Sequence, residues 1–284
     1  MAKGVTGLYL VSTKSTVQGQ FAFETVAVVM TSHIGGLEGL RQGGYCHPGV
    51  DTMEEDRSPR VLKALEREVT RIDRCSKTDT RGKTLEELEV SALSNFFRAA
   101  CRPGRWSLDY ADDARLKREY PNLCTLCSGN ATSDCLSQHR YGAEPDYKRS
   151  THALALDCLT EHGGTVAYVE WRHASEYFLQ QKPELISNYA LLCLDNTLVP
   201  LTRDILNSKL AACAWVQQPW GAVVASTHQA VGLLAEMKTW WPSGDISIRA
   251  PVWEHMMFSY MFPGSDNILE YEDALPNVLK YVSS

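Results

Sequence analysis

Two groups of side chains have the types and spacing to do chemistry. The first is Cys124-x-x-Cys127, followed by Cys135 and His139. A C-x-x-C pair binds zinc when a second Cys/His pair completes a tetrahedron, and Cys135 with His139 is the candidate for that pair. A disulfide cluster is the better reading, because Cys46, Cys75, Cys101, Cys158, Cys193 and Cys213 are spread along the chain as in a stapled extracellular domain. The sequon Asn130-Ala131-Thr132 lies in the same loop and suits a glycosylated surface. The second group centres on His152 at the start of a helix, with His139, Tyr141 and Tyr147 close in sequence. It has two readings, a ligand for a softer divalent metal or a hydrogen-bonded structural histidine, and the structural one is the simpler. His173 and His228 have no partner visible in the sequence, and Tyr45, Tyr168 and Tyr189 read as packing residues. There is no G-x-S-x-G elbow, phosphate-binding P-loop or H-E-x-x-H helix, so an enzyme is not expected.

The elements that would position these residues follow from local pattern. Ser150 or Thr151 caps a helix that carries Leu154 and Cys158 on one face, and Gly163-Gly164 ends it. Thr165–Trp171 is β-branched and aromatic and predicts a strand. Upstream, Phe21–Met30 is nearly continuous in apolar residues from Val26 and predicts a strand buried on both faces. Ser58-Pro59 opens a helix with Val61, Leu62, Leu65, Val69 and Ile72 inward and its Arg and Glu residues in solvent. Thr84-x-x-Glu87 reads as a capping box for a helix with Leu85, Leu88, Ala92 and Phe96 inward. Downstream come strands at Tyr189–Leu194 and Ala222–Ala225, then a helix from Thr227 with Val231, Leu234 and Ala235 inside, and a last helix near Asp273–Val282. Strands alternating with helical patterns predict an α/β fold with a mixed sheet.

Composition bounds the function. The chain has 284 residues, 44% apolar and 22% charged, with a formal net charge of −6. That balance gives no support to nucleic-acid binding, which needs a basic surface. No apolar run approaches the roughly 20 residues that cross a bilayer. Gly4–Val11 looks faintly like a signal-peptide core but lacks an A-x-A-type site, so it reads as a strand of a secreted chain whose leader is gone.

The same stretches carry a family resemblance. A helix with a Cys158-Leu159 pair, then glycine, then Val166-Ala167-Tyr168-Val169 resembles the second subdomain of a transferrin lobe. Phe21–Val29 is similar to that family's hinge strand, and Cys46-His47-Pro48-Gly49 to its C-H-T-G anion loop. Asn95-Phe96-Phe97 with Cys101-Arg102-Pro103-Gly104, Leu123–Cys127, Leu191–Asn196 and Trp220–Ser226 continue the match in order. The resemblance implies a periplasmic-binding-protein-like lobe with mixed sheets over 1–284. It implies a distal subdomain at 26–217 and a partial proximal subdomain from 1–25 plus 218–284. It also implies disulfides Cys46–Cys158, Cys101–Cys127, Cys124–Cys135 and Cys193–Cys213, with Cys75 unpaired because its family partner lies beyond Cys213.

For the family, ferric iron is held by an aspartate, two tyrosines and a histidine, with carbonate on a threonine, an arginine and a helix N-terminus. Carried over position by position, no Asp precedes Asp51, and the ligand positions hold Phe23, His152 and Gly221. The anion positions hold Pro48 and Thr52. The expectation is therefore an extracellular lobe whose family role is iron transport but which holds neither iron nor carbonate, and serves as a binding or interaction module. A second lobe on a longer chain or a cell-surface receptor would be its partner. The alternatives are an iron carrier with a non-family ligand set, starting from Tyr147 and Tyr141, and a small-molecule cleft.

Overall fold

The computed structural model describes residues 5–11, 21, 23–49, 59–73, 81–127, 135, 150–218, 222–240, 244–245, 253, 256–257 and 267–270. In chain order the elements are β1 (Val5–Val11), β2 (Phe23–Met30), β3 (Gly44–Cys46), α1 (Pro59–Leu62), α2 (Ala64–Asp73), α3 (Leu85–Phe96), β4 (Ala99–Cys101), α4 (Tyr110–Glu119), α5 (Thr151–Glu161), β5 (Val166–Glu170), α6 (Trp171–Glu176), β6 (Tyr189–Leu192), β7 (Leu198–Pro200), α7 (Arg203–Leu206), β8 (Val216–Gln218), β9 (Ala222–Ser226), α8 (Thr227–Trp240), β10 (Gly244–Asp245) and β11 (Asn267–Glu270). The chain divides into two compact units, one of Met1–Phe23 with Gln217–Ser284, the other of Glu24–Val216. The expected helix near Asp273–Val282 lies outside the described residues.

In the first unit the strands run in the order β10-β11-β1-β9, each pair antiparallel. Helix α8 follows β9 directly. Met237 is buried on it, whereas Ala235, expected inside, is exposed.

The second unit is built on a mixed sheet in the order β4-β3-β5-β2-β6-β7, with β8 also paired to β2. β3 runs parallel to β4 and β5, while β2 is antiparallel to both β5 and β6. A strand with neighbours on both edges and layers on both faces has no wet side, which is why Val26–Val29 is apolar without alternation. Ser150 caps α5, its side chain accepting from the His152 N–H at 3.2 Å. The helix ends at Gly163, which sits at φ +82°, a conformation that disfavours any side chain with a Cβ. β5 stops at Glu170, and Trp171, expected in the strand, begins α6 instead.

Two helix faces differ from the sequence reading. Leu85 is exposed, and α3 buries Val90, Leu93 and Phe96. Thr84 accepts from the Glu87 N–H at 3.2 Å, but the Glu87 carboxylate pairs with Arg115 at 2.8 Å. On α2, Glu66 is not in solvent; it is buried against Arg102, with Nε–Oε1 2.7 Å and Nη2–Oε2 2.9 Å. Among the described residues four disulfides tie this unit: Cys46–Cys158, Cys101–Cys127, Cys124–Cys135 and Cys193–Cys213, with Cα separations of 5.8, 4.6, 5.5 and 5.5 Å. All four separations lie in the ordinary range for a disulfide.

Candidate functional site

Three titratable side chains meet where α5, the end of β5 and the first turn of α6 adjoin. The cap at Ser150 places His152 in the first turn of α5, where it is 1% exposed. β5 delivers Glu170, 5% exposed, at the residue that opens α6, and one helical turn carries His173 back to the same side. The Glu170 N–H donates to His152 Nδ1 at 3.1 Å. His173 Nε2 lies 3.2 Å from Glu170 Oε2, and Arg172 Nη2 lies 3.7 Å from the same oxygen. The His152 and His173 rings stack at 4.9 Å with 12° between their planes.

These contacts settle what each ring can offer. A nitrogen that accepts an N–H bond carries its lone pair there, so His152 is neutral with its proton on Nε2. His173 Nε2 lies 3.5 Å from Arg172 Nη2, which can only donate, so that nitrogen accepts and the ring proton sits on Nδ1. One ligand atom from each of His152, Glu170 and His173 falls within 4.8 Å of the other two, a donor set that suits a divalent cation. His173 was not legible as a partner from sequence. The signal was the i,i+3 spacing of Glu170-x-x-His173, masked by a strand-to-helix junction between them.

The loop after β3 is arranged differently. His47 is wholly buried, its Nε2 donating to the Leu62 carbonyl at 2.9 Å and its Nδ1 accepting from the Gly49 N–H at 3.0 Å. Burial lowers its pKa to about 4. Pro48, also buried, has no N–H at all, so two backbone positions that could have faced an anion offer it nothing. Nearby, burial would raise Glu66, but the Arg102 guanidinium outweighs it and holds the carboxyl at about 2. The Tyr45 hydroxyl donates to Glu66 Oε1 at 3.4 Å, and burial followed by that carboxylate pushes its pKa well up.

Of the other positions singled out in the sequence, Phe23 opens β2 and is 2% exposed. Thr52, Cys75, Asn130, His139, Tyr141, Tyr147 and Gly221 lie outside the described residues. The Transferrin family model matches residues 10–237. The chain belongs to the transferrin family. Transferrin of Blaberus discoidalis is 32% identical over 232 residues, covering 76% of this chain and 28% of that protein. Serotransferrin of Bos taurus is 37% identical over 106 residues, 37% of this chain and 12% of its own length. The solved structure of transferrin 1 from Manduca sexta superposes with a TM-score of 0.58 over 88% of this chain and 36% of that one, at 21% identity, a likeness of fold. The chain thus spans less than two fifths of each of these transferrins. No helix among the described residues is long and apolar enough to cross a membrane.

Proposed function

We propose that this transferrin-family chain is an extracellular lobe that does not hold ferric iron by the family's mechanism and acts as a binding or interaction module. Its partner would be a second lobe on a longer chain or a cell-surface receptor. One observation carries the reading: where the resemblance places a tyrosine, His152 is a buried neutral imidazole whose lone pair is given to the Glu170 N–H. Ferric iron is a hard trivalent ion that needs anionic oxygen donors, and an imidazole tied to the backbone supplies neither charge nor oxygen. Pro48 and Phe23 support the same conclusion, since neither side chain can bind an anion or a cation.

The test is titration with ferric iron and bicarbonate, read by visible absorption. No phenolate-to-iron band is expected. Restoring one phenolate with His152→Tyr is expected to leave the result unchanged, because the positions held by Phe23, Pro48 and Thr52 still lack their ligands. A salmon-coloured complex with the unmodified chain would overturn the reading.

A further inference from the structure

We propose that His152, Glu170 and His173 form a binding site for a divalent first-row cation, zinc being the best match to two imidazoles and one carboxylate. The proposal goes beyond the loss of ferric binding and does not use the positions of Phe23 or Gly221. All three residues belong to the second unit.

The Glu170 Oε2 to His173 Nε2 distance of 3.2 Å already matches one edge of a zinc tetrahedron. With metal–ligand bonds of about 2.0–2.1 Å, such an edge is roughly 3.3 Å. The third donor lies within 4.8 Å of these two, so closing a tetrahedral edge asks the His152 ring to move by no more than about 1.5 Å. Burial favours occupancy, because the Glu170 carboxylate is enclosed and a cation beside it replaces lost hydration.

Proton positions define the cost. His173 already has its Nε2 lone pair turned toward Arg172 Nη2 at 3.5 Å, and the cation takes that lone pair in place of the guanidinium. His152 has its lone pair on Nδ1, accepting from the Glu170 N–H. If Nδ1 ligates, the cation takes that lone pair; if Nε2 ligates, the ring proton moves to Nδ1. Either way the bond from the Glu170 N–H is surrendered, which weakens binding on the order of ten- to a hundredfold relative to a site formed in advance. The Glu170 amide therefore reports on occupancy of this site and no other.

The experiment titrates the full chain, disulfides intact and freed of metal by chelator, with zinc by calorimetry and with cobalt(II) by visible absorption. The expected result is one saturable site, a tetrahedral cobalt spectrum and faster hydrogen exchange at the Glu170 amide when zinc is bound. Glu170→Gln, nearly isosteric, is expected to weaken zinc at least tenfold with the thermal midpoint little changed. His152→Gln keeps an acceptor for the Glu170 N–H and is expected to weaken binding similarly. Absence of saturable zinc or cobalt binding overturns the proposal. So does unchanged affinity in both variants, or zinc binding that leaves the Glu170 amide untouched. Ferric binding is read separately by its phenolate band, so failure here and failure of the proposed function are distinguishable.

Discussion

Glu66 and Arg102 form a bidentate ion pair in which both side chains are almost fully enclosed. Breaking such a pair from one side strands a buried charge, whereas replacing both partners with apolar groups does not. Arg102→Met is expected to cost about 3–5 kcal/mol in chemical denaturation, and adding Glu66→Leu to recover most of it. The same neighbourhood sets a pH dependence. His47 is held neutral, its pKa falling from 6.5 to about 4, so the unfolded chain binds its proton first as pH drops. Its contribution is present above pH 6.5 and is lost as pH falls through that window, about 3 kcal/mol in all. Glu66, lowered from 4.5 to about 2, adds a second loss below pH 4.5 with the same sign. Denaturation midpoints measured from pH 8 to 3 should fall in these two stages, and His47→Gln should flatten the first. None of this was legible in the sequence, because Glu66 looks like a solvated helix residue until a partner 36 positions away is placed on it.

At the scale of elements, local signals read well where the backbone itself imposes the residue. The Ser150 cap and the glycine stop are of this kind, as is the unalternated run of β2 between two neighbouring strands. Helix faces read less well. Leu85 looked inward because it is apolar, but the i,i+3 row through Val90, Leu93 and Phe96 takes the core and turns Leu85 outward. The paired glycines after α5 allow a direct test of backbone against space. A Cβ on Gly163 meets nothing within 4 Å, so Gly163→Ala should cost only its left-handed φ, about 1–2 kcal/mol. A Cβ on Gly164 would run into Cys46 Sγ and lie 2.8 Å from Leu159 Cα. Gly164→Ala should therefore destabilise more than Gly163→Ala in thermal melts, and the reverse order would mean that the Cys46–Cys158 junction yields easily.

At the scale of the molecule, strands alternating with helices were enough to predict the mixed α/β class, since a sheet buried on both faces leaves a distinct apolar pattern. The candidate site was only half legible. His152 stood out at a helix start, but its stacking on His173 depends on how α5 packs beside β5, which no spacing rule encodes. Cysteine connectivity is likewise a property of the folded chain, and its energetic ranking follows from the lengths of the loops it closes. Cys46–Cys158 spans 112 residues, and Cys124–Cys135 spans 11. In the chain-entropy description these restrict the unfolded state by about 4.8 and 2.8 kcal/mol respectively. Cys46–Cys158 also joins β3 to α5, so its removal frees the helix that carries His152 from the interior strand that leads into the His47 loop. The double variant Cys46→Ala/Cys158→Ala is thus expected to lower the thermal midpoint more than Cys124→Ala/Cys135→Ala, with calorimetry as the measure. Equal losses would show that native packing around these bridges, rather than loop closure, sets their contribution.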